Sequence, residues 1–499
     1  MPKLLIENFT TQSGNAYIFD AVTSTVIAND GSLDKILERM EKNQTAEEIF
    51  LSLKDTYNSS CLNSSLIFAQ RWKTKVGGFF LEEEKLNPSF SFIEQYNAER
   101  SAGLGFVLVI NLTEDCNFRC KYCYLSESYA YTHNRTNSTI SFEIGIKAIS
   151  QYFEYLADVK KRIPSKKAAI TFYGGEPLLE INLIREFVKY IEQYSPVPIE
   201  INMTSNGYLL TDEIIDFIVE HEINLAISFD GVQKDHDRNR VLPNDIGSFS
   251  KVRSNIARFV AKYPNYSRLG LVPVYDILTN VEGNIAYFEN EQLPKIIFLN
   301  EVSNHHTTYY DSFTDDDYRK FFETFAKLKG DYIDAKQKGQ KMSDYLQMMF
   351  ELRLLTTVLR SKKEDRRSPL VSFTGACVPG MRLSVRTNGT YDVCERINQN
   401  FPIGDVFNGI DYPQIENMLS IYNREITDKC RECVAYRQCP LCYAYTCDDK
   451  IFSKPDDFCE NWRKTSKDNL STVYSILEKN PLAFSNLQNC IEKYYTFIS

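Results

Sequence analysis

The chain has 499 residues, 43% of them hydrophobic and 13% aromatic, which is too long for one ordinary domain and apolar enough to fill several cores. Its net charge of −9 leaves no basic footprint for nucleic acid, and no window approaches membrane-spanning length, so neither a nucleic acid nor a membrane is expected as a partner. The N-terminus lacks a charged region followed by a long apolar stretch, which points to the cytoplasm, where 13 cysteines argue for metal chemistry over disulfides.

Residues 15–20 (NAYIFD) and 23–28 (TSTVIA) read as the strands of a hairpin, followed by helical stretches at 33–40 and 46–57. Cys61 in this region and Cys490 near the other end stand apart from the cysteine clusters and read as ordinary thiols. The order of elements resembles the small winged-helix domain (RRE) with which peptide-modifying enzymes recognise the leader of a ribosomally made precursor. The resemblance implies a leader-recognition domain over residues 1–100 that captures an extended peptide as an added strand. A purely structural cap is the alternative.

Residues 106–112 (FVLVINL) form a continuous apolar run of strand length that ends just before EDCNFRCKYCYL, residues 114–125. There Cys116, Cys120 and Cys123 stand as C-x3-C-x2-C. Three thiolates on one loop can hold three irons of a 4Fe-4S cube and leave the fourth iron open. A structural zinc ion would want four ligands in paired knuckles, and this triplet has no obvious fourth nearby.

After a helical stretch at 142–157, residues 168–173 (AAITFY) read as a second strand running into Gly174, Gly175, Glu176 and Pro177. Two glycines let a backbone approach a ligand closely, and a glutamate can pair with an ammonium group. Further strands read at 199–204, ending in Ser205, Asn206 and Gly207, at 225–229, at 269–274 and at 296–299, with helices near 211–221 and 249–262. This alternation predicts six parallel strands with right-handed crossovers. In a barrel of that kind the site lies at the C-terminal strand ends.

Residues 316–370 read as a helical bridge whose terminal charge run, RSKKEDRRSP, is a solvated face. A second set of cysteines fills residues 371–465: Cys377, Cys394, Cys430-x2-Cys433-x5-Cys439-x2-Cys442, Cys447 and Cys459. Eight thiolates suffice for two four-thiolate clusters. Cys430, Cys433, Cys439 and Cys442 would also make a zinc ribbon, which leaves Cys377, Cys394 and Cys459 unexplained. Residues 466–499 are helical by periodicity and read as a C-terminal cap.

The first cysteine loop and its companion motifs resemble the radical S-adenosylmethionine (AdoMet) superfamily, and the second cysteine set resembles the SPASM extension of its peptide- and protein-modifying members. The resemblance implies an α/β fold, with a partial (β/α)6 barrel over residues 101–315 between an RRE-like domain and an iron-sulfur domain. It implies that the open iron chelates the amino and carboxylate groups of AdoMet, and that a 5′-deoxyadenosyl radical is released. Gly174, Gly175, Glu176 and Pro177 fall where relatives bind the methionyl amino group, and Asn206 and Ser228 where they contact methionyl and ribose groups. Arg240 falls where an arginine meets the carboxylate, which a guanidinium fork suits; a solvated surface arginine is the alternative. Tyr122 flanks the adenine or packs the loop.

By the same resemblance, Cys430, Cys433, Cys439 and Cys459 hold an outer auxiliary 4Fe-4S cluster, and Cys377, Cys394 and Cys442 an inner one, giving three clusters. The family spaces its last inner pair as C-x3-C, whereas here Tyr443 takes the usual place and Cys447 is extra, so Cys442, Cys447 or both are inner ligands. The implied activity is maturation of a precursor peptide, with a flavodoxin or ferredoxin reductant. A thioether crosslink from cysteine is the first expectation, a C–C or C–O bond the second. An anaerobic sulfatase-maturating enzyme that makes formylglycine is the alternative. A non-catalytic iron-sulfur or zinc protein is the alternative from another class.

Overall fold

The computed structural model describes residues 3–81, 107–133, 135–162, 168–290, 292–360, 379–380, 382–427, 430 and 432–487. Strands β1 (Lys3–Leu4) and β5 (Phe80–Leu81) pair with each other, and β2 (Ile6–Thr10), β3 (Ala16–Asp20) and β4 (Thr25–Ala28) form an antiparallel sheet in that order. Helices Leu33–Glu41, Ala46–Leu53 and Ser59–Arg71 cover it. Thr45 and Glu48 start the second helix as a reciprocal capping box, and Asn58 caps the third. The expected hairpin and first two helices are present. Strand β2 and the third helix are additions, both weakly patterned: β2 buries only Phe9, and the helix opens on a polar, serine-rich turn.

The central sheet runs β10-β9-β8-β7-β6, all parallel: β6 (Val107–Thr113), β7 (Ala168–Gly174), β8 (Ile199–Ser205), β9 (Asn224–Ile227) and β10 (Leu269–Leu271). Helices Phe142–Arg162, Ile181–Tyr194, Asp212–Glu220 and Phe249–Lys262 supply crossovers. Strands buried on both faces need the continuous apolar runs seen in the sequence.

The expected sixth strand at 296–299 does not join this sheet. Leu271 makes a single parallel bridge to Ile296, and beyond Pro273, which has no N–H to donate, β11 (Val274–Tyr275) pairs with β12 (Asn300–Glu301) in a separate two-stranded unit. The barrel is therefore open. On the opposite edge, β13 (Arg382–Val385) adds to β6 in parallel and leads into the antiparallel strands β14 (Thr390–Asp392), β15 (Gly404–Asp405) and β16 (Gly409–Ile410). The cysteine-rich C-terminal region is thereby an extension of the catalytic sheet.

Helices Asp315–Lys338 and Asp344–Val358 form a second core with helix Phe458–Leu477 through Tyr332, Tyr345, Phe350, Val473 and Ile476. That last helix starts at Phe458, ahead of the expected 466 boundary. It also carries the N-terminal sheet: Leu5, Phe9, Phe19 and Val22 pack on Leu470, and Tyr17 Oη donates to Glu478 Oε1 at 2.9 Å. Among the described residues no helix is long and apolar enough to cross a membrane.

Candidate active site

Strand β6 ends at Thr113 and feeds the first cysteine loop. The end of β7 approaches it so closely that no side chain fits between them. Gly174 has φ +128°, and a Cβ there would lie 2.3 Å from the Thr113 carbonyl; at Gly175 a Cβ would lie 1.9 Å from the Asp115 carbonyl. Gly175 N–H donates to Thr113 O at 2.7 Å and Glu176 N–H to Asp115 O at 2.9 Å. The glycines thus admit the cysteine loop itself, where the sequence had suggested room for a ligand.

Glu176 is 1% exposed, and both its oxygens are engaged within the protein. Oε1 accepts from Leu178 N–H at 3.1 Å and Ser205 Oγ–H at 2.7 Å; Oε2 accepts from Asn206 N–H at 2.8 Å. Burial pushes this carboxyl up to about 7 against the pull of those donors. Within the protein, Glu176 braces the β7 loop against the end of β8. Pro177, buried, opens the short helical turn Pro177–Glu180 behind it.

Asn206 extends the brace to the cysteine loop, its Nδ2 donating to Asn117 Oδ1 at 2.8 Å while its Oδ1 accepts from Tyr208 N–H at 3.0 Å. Ser228 N–H donates to Ser205 O at 2.9 Å. Arg240 is 6% exposed, which removes the alternative of a solvated surface arginine. Its Nε donates to Asp230 Oδ1 at 3.1 Å, Tyr122 Oη donates to Asp230 Oδ2 at 2.5 Å, and the guanidinium lies 5.3 Å from the Tyr122 ring centre.

Cys116, Cys120 and Cys123 line one cavity of about 820 Å³, shared with Glu176, Asn206, Ser228 and Arg240, and on its far side with Cys442 and Cys447. Burial pushes the Cys116 thiol up to about 12, with the Glu176 charge adding to the effect; burial raises Cys120 as well, with Arg240 opposing. Such desolvated thiols become thiolates only beside a strong positive centre, which an iron site provides. Among the described residues no three His, Cys, Asp or Glu side chains close on a single point as one metal ion requires. Three thiols lining one cavity suit the corner irons of a cube.

The second cysteine set falls into two groups. Cys430, Cys433 and Cys459 all lie close enough to Cys439 to add to its rise, which burial dominates and which reaches about 12. Cys442 acts in the same way on Cys394 and on Cys447, the latter pushed up to about 11, mainly by burial. Cys377 lies outside the described residues. Several cavity residues carry no signal in the sequence: Arg135, Arg396, His305 and His306 come from loops, and Tyr445 from the short helix Tyr443–Thr446. Phe321 and Phe322 belong to the helix read only as a bridge, where an aromatic run on a helix first suggests core packing.

Residues 110–277 match the Radical SAM superfamily, and they span the strands and loops just described. This segment of the chain carries a radical AdoMet domain. The chain is 22% identical over 402 residues to the cysteine-type anaerobic sulfatase-maturating enzyme of Clostridium novyi (strain NT), covering 74% of this chain and 96% of that one. It is also 22% identical over 295 residues to the radical SAM cyclopropyl synthase TigE of Paramaledivibacter caminithermalis, covering 57% of this chain and 56% of that one. Among solved structures, anSMEcpe with bound AdoMet superposes with a TM-score of 0.54 at 17% identity, over 77% of this chain and 99% of that chain. The same enzyme with AdoMet and the Cp18Cys peptide superposes at 0.51, with 17% identity, over 78% of this chain and 99% of that chain. These likenesses share the fold.

Proposed function

We propose that this enzyme matures a precursor peptide by abstracting a hydrogen atom from one residue and closing a crosslink, a thioether from cysteine before a C–C or C–O bond. The observation that carries the reading is the single cavity, of about 820 Å³, joining the first cysteine loop to Cys442 and Cys447. Its relatives support the choice: sulfatase-maturating enzymes, a cyclopropyl synthase, and a structural neighbour crystallised with a peptide.

Cys116, Cys120 and Cys123 would hold the 4Fe-4S cluster that, when reduced, cleaves AdoMet to a 5′-deoxyadenosyl radical. Arg240 would meet the AdoMet carboxylate, held in place by Asp230. Tyr122 would stand beside the adenine, and Ser228 and Asn206 beside the methionyl and ribose groups. The Gly174, Gly175, Glu176 and Pro177 turn would set the loop at the depth where backbone carbonyls meet the amino group. Cys430, Cys433, Cys439 and Cys459 would hold an outer auxiliary cluster, and Cys377, Cys394 and Cys442 an inner one, with Cys447 beside it.

The N-terminal sheet would recognise the leader. Its β2 side rests on helix Phe458–Leu477, so β4 is the edge left for an added strand. A flavodoxin or ferredoxin would supply the electrons. The match to the sulfatase-maturating enzyme across 96% of its length favours a second reading, oxidation of a cysteine to formylglycine. Mass spectrometry of peptide incubated with reduced enzyme and AdoMet separates them. Loss of two hydrogens with the sulfur retained in a cysteine-bearing precursor supports the crosslink, and loss of two hydrogens together with replacement of the cysteine sulfur by oxygen supports formylglycine. Production of 5′-deoxyadenosine with no change to any peptide refutes both.

A further inference from the structure

His305 and His306 sit on the wall of the same cavity, in the loop after β12. Their rings lie 3.8 Å apart. Tyr445 stacks on His305 at 4.4 Å and Tyr131 meets His306 edge-on at 5.1 Å, so the pair is clamped between the C-terminal domain and the extension of the first cysteine loop. The backbone fixes the clamp further. Ala130 N–H donates to His306 O at 2.9 Å, Thr308 N–H to Ser128 O at 2.9 Å, and Tyr129 Oη to Ser303 O at 3.0 Å.

His306 holds φ +49°, a conformation that a non-glycine residue adopts at a cost and that recurs at functional sites. His305 is only 9% exposed, and among the described residues neither Nε2 has a hydrogen-bond partner. Two buried imidazole nitrogens without partners are expensive unless the cavity's occupant supplies them.

We propose that the His305–His306 pair accepts the proton that leaves the substrate when the radical formed on it is oxidised. This rests on the peptide-maturase reading. For a thioether, the substrate C–H gives its hydrogen atom to the 5′-deoxyadenosyl radical, forming 5′-deoxyadenosine. The new C–S bond then forms as the thiol S–H breaks, its proton passing to an imidazole nitrogen and one electron to an iron-sulfur cluster. Burial keeps both rings neutral beforehand, so each has a nitrogen lone pair to offer. The nearby Asp448 carboxylate favours the cation once the proton has arrived.

The test uses the reconstituted full-length enzyme with its precursor peptide and the variants His305→Gln, His306→Gly and the double variant. Glycine suits the backbone at 306, so that variant removes the ring without strain. The expected result is a fall in kcat of at least tenfold with the peptide KM within about twofold. The ratio of 5′-deoxyadenosine to modified peptide should rise at least tenfold, and added imidazole should restore product formation by His306→Gly. Product formation at wild-type rate and ratio in the double variant overturns the assignment alone, and so does a rise in KM with kcat unchanged, which would mark the pair as a binding contact. Wild-type enzyme that cleaves AdoMet yet modifies no peptide overturns the maturase reading, and this assignment with it.

Discussion

At the scale of single residues, the site depends on contacts too tight to be replaced. A methyl group at Gly175 would meet a backbone carbonyl at 1.9 Å, and backbone has little room to yield. Gly175→Ala should therefore destabilise the fold by about 1–3 kcal/mol and remove AdoMet binding, measured by thermal melting and by equilibrium dialysis. Binding at wild-type affinity would show that the cysteine loop can shift freely. Glu176→Gln tests the brace: an amide offers one acceptor oxygen where three donors converge, so at least one donor loses its partner, at a cost of about 1–3 kcal/mol. A variant as stable as the parent would mean the carboxylate carries no structural load.

His236 adds a pH dependence outside the cysteine loops. It is fully buried, and desolvation, helped by the charge of Arg240, lowers it from 6.5 to about 3. The unfolded chain takes up a proton below pH 6.5 that the folded chain refuses. The stability held by neutral His236 is thus complete above pH 6.5 and is lost as pH falls toward 3, on the order of a few kcal/mol in all. Melting temperatures between pH 7 and 5 should fall more steeply in the parent than in His236→Gln, and parallel slopes would exclude this histidine as the cause.

At the scale of elements, the legible parts of the sequence were those with one dominant cause. Residues 106–112 and 168–173 had to be buried strands because each run is apolar on both faces, and the structure places 107–112 in β6 and 168–173 in β7, residue 106 lying outside the described residues. Helix Phe249–Lys262 has the same bounds in sequence and structure, its apolar stripe being regular. The sixth strand failed because its partner segment is cut by Pro273, and hydrophobicity alone does not register a missing donor. The addition of β13 to β6 was illegible for another reason: parallel pairing between segments hundreds of residues apart leaves no local mark.

Strand β4 offers a finer probe of leader recognition than removal of the domain, which would bare Leu470 and its neighbours. Asn29 N–H donates to Ala16 O, and alternation along the antiparallel pair then turns the Ala28 N–H away from β3. Ala28→Pro should spare the internal ladder yet remove one donor from the open edge. The expected outcome is a peptide KM raised severalfold for leader-bearing substrate and unchanged for leaderless peptide. Equal KM values for both substrates in the variant and the parent would leave the sheet as a structural cap.

At the scale of the whole molecule, the cavity exists because four regions close on it: the first cysteine loop from the barrel, the loop after β12, helix Asp315–Lys338, and the C-terminal cysteine-rich region. The cysteine motifs announced the first and the last of these, but the sequence left open which of Cys442 and Cys447 is the spare thiol. Cys442 lies close enough to Cys394 to raise it, whereas the Cys447 Sγ is turned to backbone carbonyls, 3.6 Å from Ala444 O and 3.9 Å from Tyr131 O. Fully reconstituted enzyme should carry three 4Fe-4S clusters, about twelve irons per chain. Cys442→Ala should lose about four of them, and Cys447→Ala should keep nearly all. In the parent, addition of a cysteine-bearing precursor should then perturb the auxiliary cluster's electron paramagnetic resonance signal, and a Cys→Ser precursor should leave it unchanged. If instead Cys447→Ala loses the iron as well and the signal ignores the peptide, the inner cluster has four protein thiolates, and electron transfer is the part it has left to play.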